Sequence, residues 1–123
     1  MGKKGAKLSE TATSEAHALV HDLLPLGPLD PKPMFGGYGI FANGTMFALI
    51  DPEGAAHLRV GPDTQLRYEQ AGSVKHGRMP YWSIPTHVRD DTAALIEWAT
   101  ESLHVARAAK PSPRARGTRG NPD

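Results

Sequence analysis

The chain has 123 residues, enough for one domain with an ordinary core but not for two. It has no cysteine, which excludes disulfides, thiolate metal sites and a cysteine nucleophile. The net charge is +1, but the charges are unevenly distributed along the chain. Residues 8–104 carry six Lys or Arg against twelve Asp or Glu. Residues 1–7 and 105–123 together carry eight Lys or Arg against one Asp. The middle is therefore acidic, and an acidic surface repels phosphate.

The chain is expected to form a single domain over residues 9–107, between a disordered basic arm at 1–8 and a disordered basic tail at 108–123. Apolar residues at helical spacing predict a first helix from about Ser9 to Leu24, with either Ser9 or Thr13 as its cap. His17 and His21 are four residues apart on this helix, but they lack an evident third ligand, so a solvated helix face is predicted rather than a metal site. The proline-rich stretch 25–33 predicts a stiff linker.

Three strands are predicted next, at 35–42, 45–50 and 56–60. Asn43-Gly44 between the first two is a strong hairpin signal, because both residues tolerate the positive φ of a type I′ turn. Asp51-Pro-Glu-Gly54 predicts a second turn. The three strands should therefore form an antiparallel meander.

The second half of the domain is predicted to contain a short helix, an edge strand and a long helix. Asp63 is the predicted N-cap of a helix at 66–71 that Gly72 closes. Pro80 places the strand 79–84 at a sheet edge, because proline cannot donate a ladder hydrogen bond. Asp90-Asp91 caps a helix at 92–107 whose apolar stripe includes Trp98. The order α-β-β-β-α-β-α predicts an α+β fold with about four antiparallel strands packed with helices.

Five segments, in this order, resemble the amino-terminal domain of the TfoX/Sxy family. They are Met34-Phe-Gly-Gly-Tyr-Gly-Ile-Phe41, Asn43-Gly-Thr-Met-Phe-Ala-Leu-Ile50, Tyr68-Glu-Gln-Ala-Gly72, Met79-Pro-Tyr-Trp82 and Leu95-Ile-Glu-Trp98-Ala99. The first is the most specific of the five.

The resemblance covers about residues 13–107 and implies a regulator linked to natural competence. Family members with two domains are thought to act with a cyclic-AMP receptor-type activator, so a transcription activator is the protein partner that the resemblance implies. The chain is expected to stand alone, without the carboxy-terminal domain of those regulators. The resemblance supplies no catalytic residue.

The leading hypothesis is a non-catalytic regulatory or interaction domain linked to transcription. The predicted protein-contact residues are Tyr38, Tyr81 and Trp82, because aromatic side chains at a strand edge suit strand addition, a partner contact or a homodimer. The alternative is a small-molecule-binding domain or an enzyme that uses a pocket beside Gly36–Gly39. No cofactor and no metal are expected.

Nucleic acid is expected to bind at most weakly, without sequence preference, through cations at the two ends of the chain. The signal-peptide pattern and a long apolar run are both missing, so a cytoplasmic location without membrane contact is predicted. The predicted contact residues at the ends are Lys3, Lys4, Lys7, Arg114, Arg116 and Arg119.

Overall fold

The computed structural model of the chain describes residues 9–109. The predicted arm at 1–8 and most of the predicted tail, residues 110–123, lie outside this part. Helices and strands follow one another in the order α1 (Glu10–Asp22), β1 (Asp30–Met34), β2 (Gly37–Ala42), β3 (Thr45–Ile50), β4 (Ala56–Arg59), α2 (Gln65–Gln70), β5 (Tyr81–Ser83), α3 (Thr86–Arg89) and α4 (Thr92–Ala109).

The strands form one antiparallel sheet in the order β1-β2-β3-β4-β5, so each strand pairs with its neighbours in sequence. The α+β class is therefore confirmed, with five strands in place of the predicted four. Short turns connect β1 to β4 in succession, whereas the connection from β4 to β5 is longer, runs over residues 60–80 and contains α2.

Strand β1 corrects the prediction of a linker at 25–33. The prolines of this stretch argued against a strand in the sequence, because proline cannot donate a ladder hydrogen bond inside a sheet. Here β1 is an edge strand that pairs only with β2. Pro31 and Pro33 alternate with Lys32, so both ring nitrogens face the free edge, where no hydrogen-bond donor is needed.

Two successive hairpin turns have nearly the same φ angles. Asn43 and Gly44 have φ of 51° and 82°, as predicted for a type I′ turn between β2 and β3. Phe35 and Gly36 have φ of 51° and 80° between β1 and β2, which corrects the prediction that a strand begins at Phe35. Strand β2 instead begins at Gly37, where the backbone passes so close to β3 that an added Cβ would lie 1.9 Å from the Ile50 carbonyl oxygen.

The helix termini follow the predicted capping residues in part. Ser9 Oγ accepts a hydrogen bond from Ala12 N at 2.9 Å, and Asp91 Oδ1 accepts one from Ala94 N at 3.2 Å. The predicted cap at Asp63 is wrong: Thr64 is the N-cap residue of α2, and its hydroxyl instead bonds to Gly61. Helix α3 was not predicted, because four residues are too few for a periodic pattern.

The helices cover one face of the sheet, with α4 against β3 and β4, and α1 against β2. Trp98 is only 8% exposed, and its ring meets that of the fully buried Tyr68 edge to face at 4.8 Å between centroids. The predicted stripe of α4 therefore faces the core.

Arg89 links α3 to α1 through ion pairs of 2.8 Å to both Glu15 and Asp22.

Both edges of the sheet are protected against pairing with another chain. The two prolines protect β1. On the outer side of β5, Ser83 N donates to Val74 O at 2.9 Å and His76 N donates to Tyr81 O at 2.8 Å. The segment 74–76 thus occupies the edge that strand addition would need.

Candidate functional site

The face of the sheet opposite the helices is here named the open face, defined by Met34, Met46, Leu49 and His57. Register places Gly39, Leu49 and His57 side by side on β2, β3 and β4, alternating with the core residues Ile40, Ala48 and Leu58. This face carries no helix. Leu49 and His57 are nevertheless buried, at 4% and 5% exposure, so the half-buried Met34 and Met46 are the defining residues that a partner could reach.

Methionines pack over a glycine at the centre of the open face. A Cβ added to Gly39 would lie 3.0 Å from Met34 Cε and 3.0 Å from Met46 Sδ, so glycine makes room for both thioethers. Met79 approaches the same region from the loop before β5 and lines a cavity of about 220 Å³ together with Met34 and Phe35. Flexible thioethers adapt to varied partners, which makes such a face suitable for protein recognition.

Phe35 projects from the tip of the β1–β2 hairpin beside this cavity. Its side chain is 86% exposed, the largest exposure among the large apolar residues of the described chain. A bulky residue with positive φ is rare, because its Cβ approaches the following carbonyl oxygen. Phe35 is therefore unfavourable in two ways: its apolar side chain is exposed to water, and its backbone has a disfavoured positive φ.

Three metal-ligand side chains meet at the end of the open face next to this cavity. One ligand atom from each of Asp51, His57 and His76 lies within 4.8 Å of those of the other two. The two imidazole rings are 4.9 Å apart between centroids and inclined at 64°. Among the described residues these three are the ones that could hold a metal ion together.

Sequence reasoning placed the histidines on separate elements and missed this cluster. His57 lies on β4, and His76 lies in the irregular stretch before β5, which has no periodic pattern to reveal its fold. Burial lowers the pKa of His57, and the nearby His76 lowers it further, whereas Asp51 opposes the shift. Burial therefore favours the neutral form of the His57 ring.

The structure separates the three aromatic residues predicted for protein contact. Tyr38 belongs to the core cluster, and its hydroxyl lies 3.1 Å from Thr13 Oγ1. Tyr81 is 4% exposed and donates a hydrogen bond to Met46 O at 3.2 Å; burial raises its pKa. Trp82 is half-buried against the helix side of the sheet. The three side chains therefore do not form one surface.

The remaining predicted site residues are exposed or lie beyond the described chain. His17 and His21 are both exposed on α1. Residues 9–109 carry seven Lys or Arg against twelve Asp or Glu, so the described domain is acidic. None of its helices has the length and apolar character needed to cross a membrane. The predicted nucleic-acid contacts Lys3, Lys4, Lys7, Arg114, Arg116 and Arg119 fall outside the described residues.

The fold and the site together define the class of protein. It is an α+β domain with a five-stranded meander, two helices across one face of the sheet and methionines along the other face. The model of the TfoX N-terminal domain matches residues 22–106, which is more than half of the chain. The chain belongs to this family, as the five sequence segments predicted.

A curated relative is the DNA transformation protein TfoX1 of Aliivibrio fischeri. It is 31% identical to this chain over 78 residues, which are 63% of this chain and 37% of the relative. The chain thus spans less than half the length of the relative it matches. The family and its link to DNA transformation are consistent with a regulatory role.

Proposed function

We propose that this domain is a non-catalytic regulatory module of DNA transformation, which acts in the cytoplasm by binding a protein through the open face and Phe35. The protein partner is proposed to be a transcription activator, as the resemblance to competence regulators implies. The name of the Aliivibrio relative, a DNA transformation protein, supports the process in which we place the domain.

The comparison of the two hairpin turns carries this proposal. Asn43-Gly44 and Phe35-Gly36 have nearly identical φ values, and Asn-Gly is the favoured pair for that geometry. An L-residue other than Asn, Asp or Gly is disfavoured there by roughly 1–2 kcal/mol. A role in the core cannot explain why phenylalanine occupies this position, since the side chain of Phe35 is 86% exposed. Contact with a partner would explain both its exposure and its retention in a strained turn.

Charge favours a protein over DNA as the partner of the described domain. Seven Lys or Arg against twelve Asp or Glu give residues 9–109 a net charge of −5, which repels a phosphate backbone. The same charge attracts a basic protein surface and accelerates encounter with it. DNA-binding transcription activators carry such basic surfaces.

The cavity beside Gly36 supports binding of a side chain better than binding of a metabolite. Its volume of about 220 Å³ is below the range of roughly 300–1,000 Å³ that is typical of small-molecule sites. Met34, Pro52 and Met79 give its wall apolar character. Trp82 remains a proposed secondary contact, whereas Tyr38 and Tyr81 are proposed to act indirectly by fixing the strands.

Replacing Phe35 by Asn separates binding from folding. Asn is a preferred residue for the turn, so Phe35→Asn should raise the free energy of unfolding by up to about 1–2 kcal/mol. Truncating an aromatic anchor removes 2 kcal/mol or more of binding, about 30-fold in affinity. We therefore expect a domain with a higher melting temperature and a strongly reduced frequency of DNA transformation in cells that depend on it.

Leu66→Asn is the matched control, because Leu66 is 62% exposed on α2, away from the open face. A photo-crosslinking amino acid at position 35, compared with position 66, would identify the partner in the same cells. A transcription activator captured from position 35 alone supports the proposal. Normal transformation with Phe35→Asn, or crosslinks only to a second copy of the chain, would contradict it.

A further inference from the structure

Three segments that are separate in the sequence bring two imidazoles and one carboxylate together. Asp51 begins the turn between β3 and β4, His57 lies on β4, and His76 lies in the segment that runs along β5. Their ligand atoms all lie within 4.8 Å of one another. His57 is 5% exposed, so this group is partly shielded from water.

Each of the three residues is fixed by hydrogen bonds that leave a ligand atom available. Asp51 Oδ1 accepts bonds of 2.9 Å from Glu53 N and from Ala55 N, which anchors one carboxylate oxygen in the turn. Within the described residues, hydrogen bonds are found at that oxygen and not at Oδ2. The turn therefore orients the carboxylate while it leaves its second oxygen for a ligand.

The two histidines are held in a similar way. His57 Nδ1 lies 3.0 Å from the Ala55 carbonyl oxygen, and donation to that oxygen places the lone pair of the neutral ring on Nε2. Metal-bound histidines commonly donate their other ring nitrogen to a backbone carbonyl in this manner. The backbone of His76 is fixed by its own N–H, which donates to Tyr81 O at 2.8 Å, and by its carbonyl, which accepts from Met79 N at 3.1 Å.

We propose that Asp51, His57 and His76 form a binding site for one divalent transition-metal ion, with Zn²⁺ as the ion that fits best. Two imidazoles and a carboxylate are a common set of three protein ligands for Zn²⁺, which leaves a fourth position for water or a ligand. Mg²⁺ and Ca²⁺ prefer oxygen ligands and are not matched by two nitrogens. The site does not depend on the proposed protein contact.

Binding requires only a small adjustment of the three side chains. Bonds of 2.0–2.1 Å in a tetrahedral site set the ligand atoms about 3.4 Å apart. The separations of up to 4.8 Å must therefore shorten. Rotation of the half-buried His76 side chain can supply this change while its backbone stays hydrogen-bonded to Tyr81 and Met79. The ion would fasten this segment to β4 and to the β3–β4 turn, beside the cavity that Phe35 lines.

Calorimetric titration of the full chain with Zn²⁺, without a polyhistidine tag, tests the proposal. We expect one ion per chain. His76→Ala and Asp51→Asn should each lower the affinity by about tenfold or more, since even residues behind the ligands contribute 10–100-fold. Asp51→Asn keeps an amide oxygen for the turn, so the fold is retained while the anionic ligand is lost. These two variants avoid the buried His57.

His17→Ala and His21→Ala are the controls, because they remove the other close histidine pair of the chain. Zn²⁺ should raise the melting temperature of the wild type and of both controls, and a chelator should reverse the rise. His76→Ala should show no such rise. Equal affinity of the wild type, His76→Ala and Asp51→Asn would overturn the site, as would binding that His17→Ala abolishes.

Discussion

Tyr68 shows how strongly the core constrains one side chain. It is fully buried between α2 and α4, with its ring against Trp98 at 4.8 Å between centroids and its hydroxyl 3.4 Å from Ser102 Oγ. Burial raises the pKa of Tyr68 from 10.0 to about 12, because the anionic form would lose its hydration. The sequence placed this tyrosine in a short helix and in one of the five family segments, but gave no signal of its burial.

The raised pKa of Tyr68 predicts a loss of stability at high pH. The folded state holds the phenol proton more tightly than the unfolded state does, so the full contribution is present below the unfolded value of 10.0. It is lost as pH rises from 10.0 towards about 12, by up to about 2–3 kcal/mol at 1.36 kcal/mol per pKa unit. Denaturant unfolding across this pH range measures the fall.

Tyr68→Phe isolates this contribution, since the variant lacks the ionising hydroxyl and retains the ring. Its stability should fall less between pH 10 and 12 than that of the wild type. In the absorbance titration of the folded protein, the last tyrosine to ionise should also disappear. Titration of all three tyrosines near pH 10 in the folded wild type would contradict the assignment.

Residue-level prediction succeeded where one residue determines its own local structure. The Asn43-Gly44 turn needed no distant contact to be predicted, and Ser9 was one of two candidate caps, the other being Thr13. The cluster of Asp51, His57 and His76 could not be predicted, because it forms only when an irregular loop folds back beside β5. A residue whose role depends on a neighbour distant in sequence gives no local signal.

At the scale of elements, the β1–β2 hairpin depends on close approach of two backbones. A Cβ at Gly37 would lie 1.9 Å from the Ile50 carbonyl oxygen and 3.0 Å from the Asp51 carbonyl carbon. Backbone atoms cannot rotate away as a side chain can. Glycine at this position therefore permits β2 to pair with β3 while β1 pairs on its other side.

Gly37→Ala should destabilise the domain by about 1–3 kcal/mol or more, because the strand must shift to relieve the overlap. Gly44→Ala is the comparison, since no atom lies within 4 Å of its added Cβ and only the positive φ of 82° opposes the change. We expect the loss for Gly37→Ala to exceed the loss for Gly44→Ala in urea unfolding. The reverse order would mean that the positive φ of the turn matters more for the stability of the sheet than the close contact between β2 and β3.

The elements differ in how visible they are in the sequence. Strand β3 is an apolar run and helix α4 has a clear apolar period, and both were predicted within two residues at each end. Strand β1 has two prolines and an exposed pattern, which are typical of a linker, and only its position at the sheet edge makes it a strand. Helix α3 is a single turn that starts after Pro85 and is fixed by ion pairs of Arg89 to distant residues.

At the scale of the whole molecule, charge divides the chain into an acidic domain and basic ends. Residues 9–109 carry a net −5, whereas the complete chain carries +1. The difference, +6, belongs to residues 1–8 and 110–123. A surface of the described domain that binds DNA would have to overcome its own repulsion, so we propose that any direct contact with nucleic acid uses the cations of the ends.

This proposal predicts weak binding to duplex DNA that disappears as salt rises. Each neutralised phosphate contributes a slope of about −0.9 in log K against log salt, so about five bound cations give a slope near −4 to −5. Replacing Arg114, Arg116 and Arg119 together by Gln should make that slope shallower by about 3. Replacing Lys75 and Arg78, which are exposed on the acidic domain, should leave it unchanged. Fluorescence anisotropy with two unrelated duplexes over a salt series measures the DNA affinity of the wild type and both variants. A strong preference for one duplex that persists at high salt would contradict the proposal. It would instead place a sequence-reading surface on the folded domain.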